Sequence, residues 1–394
     1  MAVINGPKEI EKMRVLYCID KLSGAFPYGS APSFRAFNLS KLISDAGISV
    51  IVLAPDCNLK QEGGYIRQQW PLIQIRTVKE YENNYELAIT SIIREDNIDL
   101  LFRPSSIRNY KLTSRIAKKY GIPVVLDSVE WFDTTNWRLG KFDPRYYYLQ
   151  YLWKFKFNKS NGIIAISRLI ENHFRNTNNN VYRIPTITDV KNTTYRTEIE
   201  NESVRFIFSG KLDEGKDNFD TFIEALDIVD QLGEKTRLDI YGPNIEEVKK
   251  HLGEKTELLD QHKNNIFIHG RVPQQEAQSA CLNSDFSVFF RLNRRSANAG
   301  FPTKLGECMT FGTPVICNDT GDISLVVKDK ENGFLLNSKS VDEICETLRY
   351  LLNMKREDRE KMRRKARMSA EKFFDYHNYL SDIQKVFENA LERK

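Results

Sequence analysis

The chain has 394 residues, of which 41% are hydrophobic and 28% are charged, as is typical of a globular protein with two domains of ordinary size. No run of 18 apolar residues occurs, and the start of the chain lacks the apolar core of a signal peptide, so we expect neither a membrane span nor a secretion signal. The six cysteines are scattered without C-x-x-C spacing, which predicts reduced core thiols in the cytoplasm and no zinc site.

Charge is distributed unevenly along the chain. Residues 1–196 contain 28 Lys and Arg against 18 Asp and Glu, whereas the remainder contains 30 against 35. A basic first half is suited to nucleic acid, to anionic lipid or to a phosphate-bearing acceptor, and charge alone does not distinguish them. Because no nucleic-acid-binding motif is present, we expect no nucleic acid partner.

Strands and helices alternate in the first half. A strand at 14–20 leads through a loop containing Gly29 and Ser30 to a helix at 33–45, which is followed by a strand at 50–54. This is one βαβ unit. Further strands are expected at 100–103, 123–127 and 163–166. The polar, threonine-rich segment 186–201 has no periodicity and is the expected linker between domains.

The second half repeats the alternation. Strands are expected at 206–208, 238–241, 266–269, 286–290 and 315–317, and helices at 220–231, 247–252, 276–282, 304–310, 340–352 and 371–391. The two halves therefore predict two doubly wound, Rossmann-like α/β domains with mostly parallel sheets. The charged run 355–367, KREDREKMRRKAR, is expected to be the solvated face of a helix.

A phosphate-binding pattern opens the second half. The segment 204–217, VRFIFSGKLDEGKD, is a strand followed by a Gly-Lys turn and a second lysine, so that Gly210, Lys211 and Lys216 meet at the carboxyl end of a strand. The spacing also fits a P-loop. A P-loop requires Ser or Thr after its lysine, but Asp217 stands there, so an NTPase is disfavoured.

These blocks resemble the retaining glycosyltransferases of the large family four, which have the two-domain GT-B fold, and the resemblance runs in order along nearly the whole chain. In that family the Gly-Lys turn and the lysine five residues later grip the donor diphosphate. Lys211 and Lys216 take those positions and would stabilise the departing diphosphate without a metal ion or other cofactor. His269 to Val272 match the family loop that reads the base, so Arg271 and Val272 are expected at the donor.

The block 300–321 resembles the family's E-x7-E region in its P-[ST]-K-x-x-E variant, which is found in members that build surface polysaccharides. The resemblance assigns donor contacts to the following residues: Gly300, Phe301, Pro302, Thr303, Lys304 and Glu307. Glu307 is expected to accept hydrogen bonds from the ribose. Lys304 would add a third cation, or else extend from its helix to solvent. The family's first Glu is replaced by Ala299.

In the first half, Gly29 and Ser30 match the family's glycine loop, where small residues let the backbone approach the donor or acceptor. The strand end 124–133 aligns with a site where many relatives carry a sugar-contacting histidine, and Val129 stands there instead. Asp127 and Glu130 are the nearby carboxylates that would orient the acceptor or accept its proton, and we favour Glu130.

Aromatic and basic residues alternate over 138–160. Such a face suits an anionic membrane, with rings at the headgroup level and lysines near phosphates. Helical spacing places Tyr147, Tyr151 and Phe155 on one stripe, and we expect that stripe to pack into the core.

The expected protein is therefore a retaining, metal-independent glycosyltransferase that uses a nucleotide-diphosphate sugar, UDP before GDP, and extends a saccharide acceptor carried on a lipid. It would act in surface polysaccharide synthesis, in the cytoplasm or peripherally at the cytoplasmic membrane face. Residues 1–196 would bind the acceptor, 197–370 the donor, and 371–394 would form a helix packing back on the first domain. The alternatives are a GT-B sugar-nucleotide epimerase and a binding protein without catalysis.

Overall fold

The computed structural model describes residues 13–19, 30–55, 66–199, 203–212, 219–230, 236–337 and 340–393. The strands of the first domain are β1 Arg14–Cys18, β2 Ser49–Ala54, β3 Ile73–Thr77, β4 Leu100–Pro104, β5 Val124–Ser128, β6 Gly162–Ala165 and β7 Val181–Arg183. Its helices are α1 Ala31–Asp45, α2 Tyr85–Glu95, α3 Tyr110–Tyr120, α4 Pro144–Phe155 and α5 Arg168–Arg175.

The second domain continues the numbering. Its strands are β8 Val204–Ser209, β9 Thr236–Tyr241, β10 Ile266–Gly270, β11 Phe286–Phe289, β12 Val315–Asn318 and β13 Gly333–Leu336. The helices that follow are α6 Asp220–Asp230, α7 Ile245–Leu252, α8 Glu257–Gln261, α9 Gln274–Asn283, α10 Arg295–Ala299, α11 Thr303–Thr310, α12 Ile323–Val326, α13 Val341–Leu352, α14 Arg356–Phe373 and α15 Leu380–Glu392.

Each domain is built on one doubly wound parallel sheet. The first sheet has the order β3-β2-β1-β4-β5-β6-β7 and the second β10-β9-β8-β11-β12-β13. All pairings between these strands are parallel; β1 pairs with β2 from Arg14 opposite Ser49, and β8 with β9 from Val204 opposite Thr236. Because the strands within each sheet are parallel, their carboxyl ends lie at the same edge of the sheet. Ligands of doubly wound folds bind at this edge.

Three strands lie beyond those that the sequence pattern predicted: β3, β7 and β13, the last of which is an edge of the second sheet. β3 and β7 are the two edges of the first sheet. β3 alternates buried and partly exposed residues, and β7 has only three residues. An edge strand packs on fewer neighbours, so its sequence needs less apolar surface and carries a weaker signal.

The two domains share one apolar cluster. Trp153 and Phe174 of the first domain belong to the same cluster as Phe289, Phe301 and Leu305 of the second. The chain also returns to the first domain at its end: Tyr376 donates to Asp45 across 2.7 Å, and α15 packs against α1 and the strands β4 to β7. Apolar residues of α15 complete the core beneath the first sheet; they are Ile383, Val386, Phe387 and Ala390.

The charged helix α14 departs from expectation, because three of its arginines are buried. Arg359, Arg363 and Arg367 recur every fourth residue and point inward. We call them the arginine row. Residues four apart lie on one helix face. One face of the charged segment 355–367 is therefore buried, and the arginines on it are removed from solvent. The prediction that this run is only a solvated face was wrong.

Two members of the arginine row, Arg363 and Arg367, bind backbone carbonyls, whereas Nη1 of Arg359 lies 4.0 Å from the Asp285 carboxylate. Arg363 donates to the carbonyls of Arg196 (3.0 Å), Leu282 (3.0 Å) and Ser284. Burial lowers the pKa of Arg363 to about 10, so it stays cationic at neutral pH. Arg367 donates to the carbonyls of three further residues, Val190, Thr193 and Thr310. The row thus fastens the linker and the end of α11 to α14.

Replacing Arg363 with methionine should destabilise the protein by about 3 kcal/mol, because buried carbonyls lose their donor while the volume is nearly kept. Arg364→Met is the matched control, since Arg364 is exposed on the same helix. Chemical denaturation monitored by circular dichroism compares the two variants with the wild type. Equal stabilities for the two variants would contradict a structural role for the arginine row.

Candidate active site

Glycines form the floor of the candidate site at the carboxyl ends of β8 and β9. Gly210 and Gly242 have φ angles of +132° and +111°, which favour glycine. A Cβ on Gly242 would lie 2.3 Å from the carbonyl oxygen of Gly210. Gly210 donates to the Tyr241 carbonyl at 3.0 Å, and Gly242 to that of Gly270 at 2.7 Å. The ends of β8, β9 and β10 therefore contact one another through the backbone of glycines, which carry no side chain.

Lys304 lies against this floor. A Cβ on Gly210 would come within 2.7 Å of its Cε, and its Nζ lies 3.9 Å from the centre of the Phe208 ring. The ammonium group is thus held beside β8 instead of extending to solvent. Lys211, the residue after Gly210, has an exposed side chain. The structure brings Gly210, Lys211 and Lys304 to one strand end.

Glu307 follows Lys304 by one turn of α11. Its carboxyl group is surrounded by protein atoms while part of the residue still reaches the surface. Desolvation raises the pKa of Glu307 to about 7, and the nearby charge of Lys304 limits the rise. Residues three apart share a helix face, so the Lys304 ammonium and the Glu307 carboxyl group lie on the same side of α11.

Two predicted site residues, Gly29 and Lys216, lie outside the described residues, as does Asp217. Ser30 is described and caps α1: its hydroxyl oxygen accepts a hydrogen bond from the Ser33 amide at 3.3 Å. The helix amino terminus with Ser30 at its cap therefore follows the predicted glycine loop directly.

The carboxyl ends of β9 and β10 contribute an aromatic pair. The rings of Tyr241 and His269 are stacked with their centres 4.2 Å apart, and Nε2 of His269 lies 2.7 Å from Oδ1 of Asp239. Arg271 extends into solvent, with its guanidinium 3.9 Å from Glu247. Val272 is partly buried. The predicted base-reading loop thus lies beside the glycine floor, and the Arg271 side chain is exposed to solvent.

The turn 300–303 joins the two domains. A Cβ on Gly300 would lie 3.6 Å from the carbonyl oxygen of Val129 in the first domain. Phe301, expected at the donor, is instead buried with its ring edge-on to Phe374 at 5.7 Å. Pro302 caps α11 and, like Thr303 after it, is partly exposed. Phe301 therefore anchors the turn, while Pro302 and Thr303 stay partly exposed.

Asp127 has a structural partner. Its carboxylate accepts hydrogen bonds from Arg35, with Nη2 at 2.7 Å and Nε at 3.0 Å, and both residues are buried. Arg35 also donates to the carbonyls of Pro185 and Ile184. A carboxylate bound in this way is poorly placed to take a substrate proton. Glu130 is partly exposed at the same strand end.

Sequence reasoning missed several residues of this region. Ser167 caps α5 and donates to the Ala299 carbonyl at 2.6 Å, and Arg295 donates to the Phe132 carbonyl at 2.8 Å. A serine directly after strand β6 is a helix-cap signal, but nothing in the sequence indicates that its hydroxyl also reaches across to the other domain.

Comparisons with known proteins agree with this architecture. Residues 191–369 match the family model Glycosyl transferases group 1. Sucrose-phosphate synthase from Thermosynechococcus elongatus superposes with a TM-score of 0.73 at 12% identity, covering 97% of this chain and 100% of that one. The chain has the GT-B fold. No curated protein sequence matches the chain.

Two further GT-B structures superpose over nearly the full length. HepE from Anabaena, in complex with UDP and glucose, gives a TM-score of 0.65 at 14% identity and covers 95% of this chain and 99% of that one. TarM from S. aureus, in a complex that includes UDP, gives 0.66 at 14% identity and covers 95% and 100%. Within the GT-B fold, the glycine floor and α11 lie in the segment that matches the family model.

The raised pKa of Glu307 predicts a pH-dependent stability. Because the folded state holds the proton more tightly, stability should fall as pH rises from about 4.5 to 7 and level off above, by up to about 3 kcal/mol relative to Glu307→Gln. Denaturation of both proteins between pH 4.5 and 8.5 measures the difference. Glu346→Gln, at an exposed glutamate, should show no such trend. A constant difference between wild type and Glu307→Gln would refute the shift.

Proposed function

We propose that the protein is a retaining glycosyltransferase that moves a sugar from a nucleotide-diphosphate donor to a saccharide acceptor carried on a lipid. The observation that supports this most strongly is the cationic strand end, where Gly210, Lys211 and Lys304 stand beside Glu307 within the glycosyltransferase group 1 match. Bare backbone and two ammonium groups suit a diphosphate, which needs close approach and positive charge.

The proposed donor is a UDP-sugar, with a GDP-sugar next. HepE and TarM were each solved with UDP, which favours UDP for a chain of the same fold. Glu307 would accept hydrogen bonds from the ribose hydroxyls. The stacked Tyr241 and His269 rings at the ends of β9 and β10 would lie near the base, because they adjoin the predicted base-reading loop, and ring faces suit a nucleobase.

The proposed chemistry separates the donor sugar from its diphosphate. Negative charge develops on the departing diphosphate, and Lys211, Lys304 and the predicted Lys216 would stabilise it without a metal ion. Attack would occur on the same face of the sugar, with the diphosphate helping to accept the proton of the acceptor hydroxyl. Glu130, rather than Asp127, would orient that hydroxyl. The cleft between domains would exclude the water that hydrolyses donors.

Turnover tests the proposal directly. The protein is incubated with UDP- and GDP-sugars, and release of free nucleotide diphosphate is followed with and without saccharide acceptors. Lys211→Ala should lower kcat/KM by about 100-fold, because one charge-stabilising group is lost. Lys361→Ala, at an exposed lysine of α14 in the same domain, should behave as wild type. Tight nucleotide binding without release from any donor would leave the alternative of a binding protein without catalysis.

We also propose that α4 and the segment before it dock on an anionic membrane, in line with a lipid-borne acceptor and a location at the cytoplasmic membrane face. The stripe expected to pack inward is exposed instead: Tyr147 is 59%, Tyr151 44% and Phe155 47% accessible, and Phe142 is 76% accessible. Lys141 and Lys154 lie over the Phe142 and Phe155 rings. No helix among the described residues is long and apolar enough to cross a bilayer.

Vesicle binding tests this surface. The wild type should sediment with vesicles that contain phosphatidylglycerol and much less with pure phosphatidylcholine, because rings enter the interface while lysines attract anionic headgroups. The double variant Phe142→Ser and Phe155→Ser should bind about tenfold more weakly. Tyr350→Ser, at an exposed ring of the second domain, serves as control. Undiminished binding of the double variant would remove α4 from the docking surface.

A further inference from the structure

The short helix α10 is held by the first domain at both ends. At its start, the Ser296 amide donates to Oδ2 of Asp133 at 3.3 Å, and at its end the Ala299 carbonyl accepts from the Ser167 hydroxyl at 2.6 Å. α10 leads directly into the Gly300 turn, so the first domain grips the segment that positions this turn.

Arg295 makes an interdomain contact between α10 and an aromatic side chain of the first domain. Its guanidinium lies over the Trp131 ring at 5.2 Å, and its Nη2 donates to the Phe132 carbonyl at 2.8 Å. Trp131 is itself stacked on buried Trp153, with ring centres 4.6 Å apart and planes 3° from parallel. A cation over such a fixed ring pair combines cation–π attraction with a directed hydrogen bond.

The platform beneath Arg295 is rigid. The indole nitrogen of Trp131 donates to Gln150 at 3.1 Å, and the amide nitrogen of Gln150 donates to the Phe132 carbonyl at 3.2 Å. Asp133 remains anionic: burial would raise its pKa, but hydrogen bonds from Thr135 and Ser296 outweigh this and lower it. The loop 130–133 thus offers α10 fixed partners.

We propose that Arg295 is a positioning residue: by binding the loop 130–133 it holds the two domains in register and sets the turn 299–301 against the site of the donor sugar. This rests on the proposed glycosyl transfer. Position 299, where the resemblance leads one to expect a sugar-contacting Glu, carries Ala, and its backbone carbonyl binds the first domain instead. Domain contact therefore orders the sugar side of the cleft, whereas the cations of the second domain bind the diphosphate.

Arg295→Ala should impair sugar transfer without impairing nucleotide binding. UDP affinity, measured by calorimetry, should stay as in the wild type, because the nucleotide contacts lie on the second domain. The kcat for transfer should fall about tenfold, because one hydrogen bond from a charged group is lost. The fraction of donor that is hydrolysed by water should rise. The radius of gyration from small-angle X-ray scattering should increase. Arg295→Lys keeps a cation over the ring and should restore part of kcat.

Arg94→Ala is the matched control. Arg94 lies over the Tyr120 ring at 5.9 Å, but both residues belong to the first domain and lie outside α4, so kcat and the radius of gyration should not change. Asp133→Asn weakens the contact to Ser296 by removing a charge and provides a milder second variant. It should shift both quantities in the same direction as Arg295→Ala, which keeps the test valid if Arg295→Ala folds poorly.

The outcomes distinguish this inference from the proposed function. An unchanged kcat and radius of gyration in Arg295→Ala would overturn it, and so would a loss of UDP affinity at a constant radius, since Arg295 would then act on the nucleotide. If the wild type turns over no donor but Arg295→Ala and Asp133→Asn both expand, the domain-coupling role stands while glycosyl transfer fails.

Discussion

The desolvated arginine row of α14 is the constraint on which the rest of the second domain depends. A guanidinium taken out of water is stabilised when its N–H donors find acceptors, and for Arg363 and Arg367 these acceptors include carbonyls distant in sequence. Arg367 joins the linker to the carbonyl end of α11. Since α11 carries Lys304 and Glu307, the direction in which this helix points is tied to the linker between domains. The candidate site and the linker between the domains are therefore one structural unit.

The path of the chain after α14 strengthens this unit. The backbone at Thr188 pairs with Phe374 and Tyr376, at 2.8 and 3.1 Å, so two segments cross between the domains side by side. Beyond the crossing, α15 buries its apolar face in the first domain. Two crossings bonded to each other resist free rotation more than a single linker does.

The two halves of the candidate site have different physical origins. The half proposed to bind the diphosphate is local: a strand, a glycine with positive φ and Lys211 place charge where the backbone is bare. The half proposed to face the donor sugar is assembled from two domains, through the Gly300 turn, the Val129 carbonyl and the loop 130–133. Local features leave a recognisable order of residues in the sequence, but contacts between domains do not, because their partners lie more than 100 residues apart.

The sequence by itself determined the alternation of strands and helices, the two parallel sheets and the Gly-Lys strand end, since these follow from short-range periodicity and turn chemistry. The sequence pattern predicted the wrong burial for two segments in which polar and apolar residues are mixed. The arginines of α14 look solvated in the sequence, but Arg363 and Arg367 donate hydrogen bonds to distant carbonyls. The stripe of Tyr147, Tyr151 and Phe155 looks buried in the sequence, but the other face of α4 fills the core, with Leu149, Leu152 and Trp153. Tertiary structure also decided that Asp127 pairs with Arg35 and that Lys304 lies on Gly210, because burial and pairing are set by groups that only folding brings together.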